Sequence, residues 1–182
     1  GRMELKGVKK KETKKKNSLR EWLIAIGSAL LIALAIRMFL FAPYEVHGTS
    51  MYPTLDGNEL LIVNKWIYAI EKPKYGDIVV FHTSEKRDFI KRVIGLPGDK
   101  IEIKDGYVYR NGEKLEEPYT SEKVIGDLPL MTVPKGHLFV LGDNRNNSKD
   151  SRQIGTIAIS EVVGRADLVI LPFKRFHFLN HN

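Results

Sequence analysis

No cysteine occurs among the 182 residues. That absence excludes disulfides, cysteine-metal sites and a thiol nucleophile together, and it fits either side of a bacterial membrane. The sequence also has no internal repeat, no glycine-rich phosphate loop and, outside one apolar run, no amphipathic stretch of twelve residues, so it bears no mark of a repeat array, a phosphate cradle or a helical bundle. A basic domain face is missing as well, although the net charge is +7. Residues 1–20 hold nine Lys or Arg against two Glu, which accounts for the whole +7; of the 29 bases and 22 acids, twenty of each remain for residues 21–182. A neutral body offers no surface for nucleic acid, whereas a basic tail beside an apolar run points to a lipid bilayer.

The run itself is Trp22 to Ala42, WLIAIGSALLIALAIRMFLFA, with Arg37 its one charge. At about 1.5 Å per residue, a helix of this length just crosses the hydrocarbon layer. Trp22 suits the near interface, and Arg37 is close enough to the far end to snorkel. The preceding lysines place the N-terminus in the cytoplasm, so the expected order is a basic cytoplasmic tail over 1–21, a single transmembrane helix over 22–42 and an extracytoplasmic domain over 43–182. A buried helix of a soluble domain fits poorly, because the run is apolar all round. A cleavable signal peptide could use Ala33-Leu34-Ala35, but the run continues through Phe41 without a polar mature start. Gly1-Arg2 ahead of Met3 reads as an appended remnant and is set aside.

With 43% hydrophobic residues the chain is globular rather than disordered, and its length suits one domain plus a short appendage. Fifteen Gly and eight Pro among many Val and Ile favour short strands joined by turns. The segments 44–46, 59–64, 77–82, 88–95, 100–104, 107–110, 137–141 and 167–171 read as strands. Asp105-Gly106 and Asn111-Gly112 are hairpin turns, Leu96-Pro97-Gly98-Asp99 is a turn between strands, and 159–165 is strand or loop. The expected fold is mainly β, a partly closed sheet domain behind one helix.

Three segments carry chemistry. The first, Gly48-Thr49-Ser50-Met51-Tyr52-Pro53-Thr54-Leu55, begins six residues past the apolar run, so Ser50 would work near a membrane surface; alone, it is equally an ordinary turn serine. None of His47, His82, His137, His177 and His181 stands in a triad context. In the second, Asp88 to Ile94, strand alternation puts Lys91 on one apolar face with Phe89 and Val93. Desolvation there lowers a lysine pKa enough for it to serve as a base near neutral pH, which Arg92 cannot do. The alternative is a strand lysine snorkelling to solvent. The third, Gly142 to Arg152, is a dense polar loop in which Asp150 can pair with Arg152, and Ser148 can orient a neutral lysine; it is otherwise a surface loop rich in turn-forming Asn.

Together the three segments, in this order behind an anchor, resemble the type I signal peptidases, Ser/Lys serine proteases that remove signal peptides from exported preproteins. The resemblance extends through Lys91-Arg92-Val93-Ile94-Gly95-Leu96-Pro97-Gly98-Asp99 and covers 18–172. It implies Ser50 as nucleophile, Lys91 as general base, Ser148 as orienting hydroxyl, and Asp150–Arg152 and Asp143–Arg92 as supporting ion pairs. It further implies the Ser50 backbone N–H as an oxyanion donor. Some Gram-negative members add a serine hydroxyl two residues before the nucleophile; Gly48 stands there. The short chain resembles the compact Gram-positive form, whose substrates lie extended beside enzyme strands with small side chains in two shallow pockets, matched here by Tyr44, Val46 and Ile90. The resemblance implies a small-x-small cleavage site, no cofactor and no metal. Two rivals are a self-cleaving Ser/Lys repressor-like protease and a non-catalytic membrane-tethered β module. The first lacks its DNA-binding helices here, and the second leaves the three segments unexplained.

Overall fold

A computed structural model describes residues 4–179, with side chains from residue 17 onward. Gly1, Arg2 and His181 lie outside the described residues. The chain divides into a helical unit ending at Leu40 and a β unit starting at Phe41.

Helix α1 runs over Glu4–Leu40. Its stretch Asn17–Leu40, 24 residues whose most apolar 18-residue window has a mean hydropathy of 2.4, is long and apolar enough to cross a membrane. Ala, Leu and Ile make it a good helix former, and Arg37 in its last turn complements the negative end of the helix dipole. The helix stops two residues before the expected Ala42. Pro43 pushes the preceding backbone into the extended region, and Phe41 and Ala42 join a strand instead.

The strands are β1 (Phe41–Glu45), β2 (Leu60–Asn64), β3 (Ile78–His82), β4 (Asp88–Gly95), β5 (Lys100–Lys104) and β6 (Tyr107–Arg110), followed by β7 (Glu113–Lys114), β8 (Leu128–Thr132), β9 (His137–Leu141), β10 (Ile157–Ala158), β11 (Val162–Leu171) and β12 (His177–Phe178). Two one-turn helices, α2 (Ile67–Ile70) and α3 (Ser151–Ile154), interrupt them. The larger sheet has the order β1-β2-β11-β3-β4-β9-β10 with β12 on β11, and the smaller is β7-β6-β5-β8. Every pairing is antiparallel.

Central strands are buried on both faces. In β3, Ile78 and Val80 enter one core cluster, while Val79 and Phe81 enter another, which is why that strand is continuously apolar rather than alternating. A third cluster, around Ile101, Ile103 and Phe139, joins the small sheet to the end of β4 and β9. The large sheet curls. Tyr44 on β1 donates its hydroxyl to Asp88 on β4 at 3.3 Å, although three strands separate the two in sheet order.

Candidate active site

The segment after β1 is pinned from both sides. Val46 N–H donates to the Glu59 carbonyl at 2.8 Å, and Met51 and Leu55 are buried in the first core cluster. Between these anchors the chain makes a tight turn, with Tyr52 N–H donating to the Thr49 carbonyl at 3.1 Å and Leu55 N–H to the Met51 carbonyl at 2.9 Å. Burying Met51 beside it leaves Ser50 on the open side, lining a cleft of about 810 Å³.

Lys91 reaches the same cleft from β4. It pairs with Val79 of β3, shares its face with Phe89 and Val93, and is only 5% exposed. Its Nζ donates to Ser50 Oγ at 2.8 Å and stands 5.1 Å from the Phe89 ring centroid. Burial draws the Lys91 pKa down to about 8; Asp150 pulls it back up, while Arg87 and Arg152 push it further down. A lysine held that low has a usable neutral fraction near pH 7, and at this distance the neutral amine can accept the hydroxyl proton.

The 142–152 loop braces both groups. Arg92, next to Lys91, donates from Nε and Nη2 to Asp143 at 2.8 Å each and from Nη1 to the Gly76 carbonyl at 3.0 Å. Thr54 Oγ1 donates to the same Asp143 carboxylate, tying the Ser50 segment to the strand of Lys91. Asp150 caps α3 and accepts two bonds of 2.8 Å from Arg152. Ser148 donates to Asp150 Oδ2 at 2.9 Å, and among the described residues Lys91 Nζ has Ser50 Oγ as its hydrogen-bond partner. The carboxylate that accepts this bond is the one whose charge raises the Lys91 pKa. Gly142 is required at its position, because a Cβ there would lie 2.1 Å from Ser148 Oγ and 2.6 Å from the Ser50 carbonyl.

Tyr44, Val46 and Ile90 line the cleft together with Ser50 and Lys91, and Leu61 and Val80 add apolar surface that the sequence did not mark. Two strand edges border it. Among the described residues, β1 pairs only with β2, and residues 88–91 of β4 pair only with β3, because β9 joins β4 from Arg92 onward. Arg145 was not singled out from the sequence either; buried, it pairs with Glu117 through Nη1 at 2.8 Å and bonds the Gly142 carbonyl through Nε at 2.8 Å. His82 bonds Asp88 at 2.6 Å, and among the described residues no histidine is hydrogen-bonded to Ser50. Nor is any group of three or more His, Asp or Glu placed to hold a metal ion among them.

Residues 19–171 match the family model described as signal peptidase, peptidase S26. The signal peptidase I of Bacillus licheniformis is 46% identical over 179 residues, covering 92% of this chain and 96% of that protein. Signal peptidase I T of Bacillus subtilis (strain 168) is 45% identical over 179 residues, covering 92% and 93%. A crystal structure of a signal peptidase I from Enterococcus faecalis V583 has 36% identity and a TM-score of 0.48, covering 53% of this chain and 97% of that one. Neither the repressor-like protease nor the silent tethered module is favoured by these matches. A match over most of the chain, with relatives near 45% identity that it spans almost end to end, means that the chain belongs to the signal peptidase family, peptidase S26.

Proposed function

We propose that this membrane-anchored serine endopeptidase removes signal peptides from preproteins through a Ser50–Lys91 dyad and an acyl-enzyme, cutting after small-x-small sequences. The observation that carries this reading is the 2.8 Å bond between a buried lysine and a serine hydroxyl on the wall of one cleft. The substrate lies extended along the free edges of β1 and β4, with its small side chains in the shallow apolar pockets of Tyr44, Val46 and Ile90. Neutral Lys91 takes the Ser50 proton as Oγ attacks the scissile carbonyl, then gives it to the leaving amine. The same lysine activates the water that releases the acyl group. Ser50 N–H faces the developing oxyanion, and Gly48 contributes no side chain to that task. The basic tail keeps the N-terminus in the cytoplasm, so catalysis takes place on the outer side.

With a pKa of about 8, about a tenth of Lys91 is neutral at pH 7, against about one part in 3,000 at its ordinary value. kcat/KM should therefore rise with pH through one ionisation near 8. A profile that instead follows an ionisation near 6.5, and loses it when one histidine is replaced, would overturn the base assignment.

A further inference from the structure

Asn144 touches the nucleophile segment twice. Its backbone N–H donates to the Ser50 carbonyl at 2.9 Å, and its side-chain Nδ2 donates to the Thr49 carbonyl at 3.0 Å. Those carbonyls belong to the two peptide planes that meet at the Ser50 Cα. Each plane is rigid, so holding both carbonyls fixes both backbone dihedrals of Ser50, and with them the starting direction of its side chain. Across a trans peptide the N–H points opposite to the C=O. Turning the Thr49 carbonyl toward Asn144 therefore turns the Ser50 N–H away from the loop. Among the described residues that N–H has no hydrogen-bond partner.

The neighbouring loop residue performs the matching task for the base, since Asp143 grips Arg92 by two bonds of 2.8 Å. Consecutive residues of one loop thus hold the segment of the nucleophile and the strand of the lysine. Because Gly48 provides no side-chain donor, the direction of the Ser50 N–H carries more of the oxyanion stabilisation.

We infer that Asn144 is a positioning residue that aims the oxyanion donor by holding the Thr49 carbonyl together with the Tyr52 N–H, which bonds the same oxygen at 3.1 Å, an inference that rests on the Ser50–Lys91 reading. The test uses the full-length enzyme in detergent, as wild type, Asn144→Ala and Asn144→Leu. Leu keeps the branched shape and the backbone N–H but has no side-chain donor, so it serves if the Ala variant fails to fold. Two inhibitors share one peptide sequence and end in an aldehyde or an alcohol. Ser50 Oγ adds to the aldehyde carbon; the C=O π pair moves to oxygen as the serine proton passes to Lys91, and the new oxyanion needs the aimed N–H. The alcohol has no carbonyl and only fills the pockets.

Removing an oxyanion donor outright costs about 10²–10³ in kcat, so misdirecting one should lower kcat roughly 10- to 100-fold, with KM within about twofold. Aldehyde affinity should fall by the same factor as kcat, and alcohol affinity should hold. A folded variant that keeps the wild-type ratio of aldehyde to alcohol affinity overturns the inference, and so does an equal loss of both inhibitors. If Ser50→Ala retains cleavage and the aldehyde preference, the dyad itself fails and takes this inference with it.

Discussion

Replacing Lys91 with methionine should abolish cleavage and yet stabilise the β domain. Lys91 is 5% exposed, and its pKa falls from the ordinary 10.5 to about 8, chiefly through burial. Holding the ammonium there costs about 3 kcal/mol at pH 7. The folded state gives up this proton more readily than the unfolded chain. Between about pH 8 and 10.5 the unfolded state therefore binds more protons, so stability rises with pH across that window, and the full penalty applies below it. At pH 9 the penalty has dropped to about 2 kcal/mol. Methionine removes it but forfeits the bond to Ser50, which offsets about 1 kcal/mol. The net gain is about 2 kcal/mol at pH 7 and about 1 kcal/mol at pH 9, or roughly 6 °C and 3 °C in Tm for a domain of this size. Melting followed by near-ultraviolet circular dichroism in detergent, at both pH values, reads the effect. A variant that melts below wild type at pH 7, or a gap that stays constant between pH 7 and 9, would refute the desolvation account.

Asp143→Asn leaves the Arg92 guanidinium, 2% exposed, without its counter-charge, and should cost about 3–5 kcal/mol in the urea unfolding of the domain. Gly57→Ala forces an L side chain into a φ of +103° and puts a Cβ 2.5 Å from the Gly48 carbonyl. It should cost about 1–3 kcal/mol of stability and, because the strain falls two residues before Ser50, also lower kcat at temperatures where the protein remains folded.

The strands most legible in the sequence were those bounded by turn residues. Segments 88–95, 100–104, 107–110 and 137–141 form as expected, since Pro97-Gly98, Asp105-Gly106 and Asn111-Gly112 punctuate the first three and Gly136 and Gly142 bound the fourth. The helix-to-strand boundary was not legible, because Phe41 and Ala42 are as suitable for a bilayer as for a sheet, and Pro43 was the one local signal. In β8, Pro129 disguises an edge strand. In β11, Gly164 hid the first half of a ten-residue strand; a Cβ there would meet the Asn64 carbonyl at 2.2 Å, a close approach that only the paired backbone reveals. At the site, residue types and strand alternation marked Ser50 and the apolar face of Lys91. The meeting of residues 41 apart in sequence needed the fold. Asn144 was least legible, because it acts on backbone carbonyls and its residue type alone says only that a turn is near.

The central claim is that Ser50, deprotonated by Lys91, performs the cleavage. The most direct measurement is the mass of a model preprotein before and after incubation with the purified full chain, as wild type, Ser50→Ala and folded Lys91→Ala. Wild type should yield one new pair of fragments, divided after a small-x-small sequence, and either variant should leave the preprotein intact. The same fragments from folded Ser50→Ala or Lys91→Ala would contradict the claim.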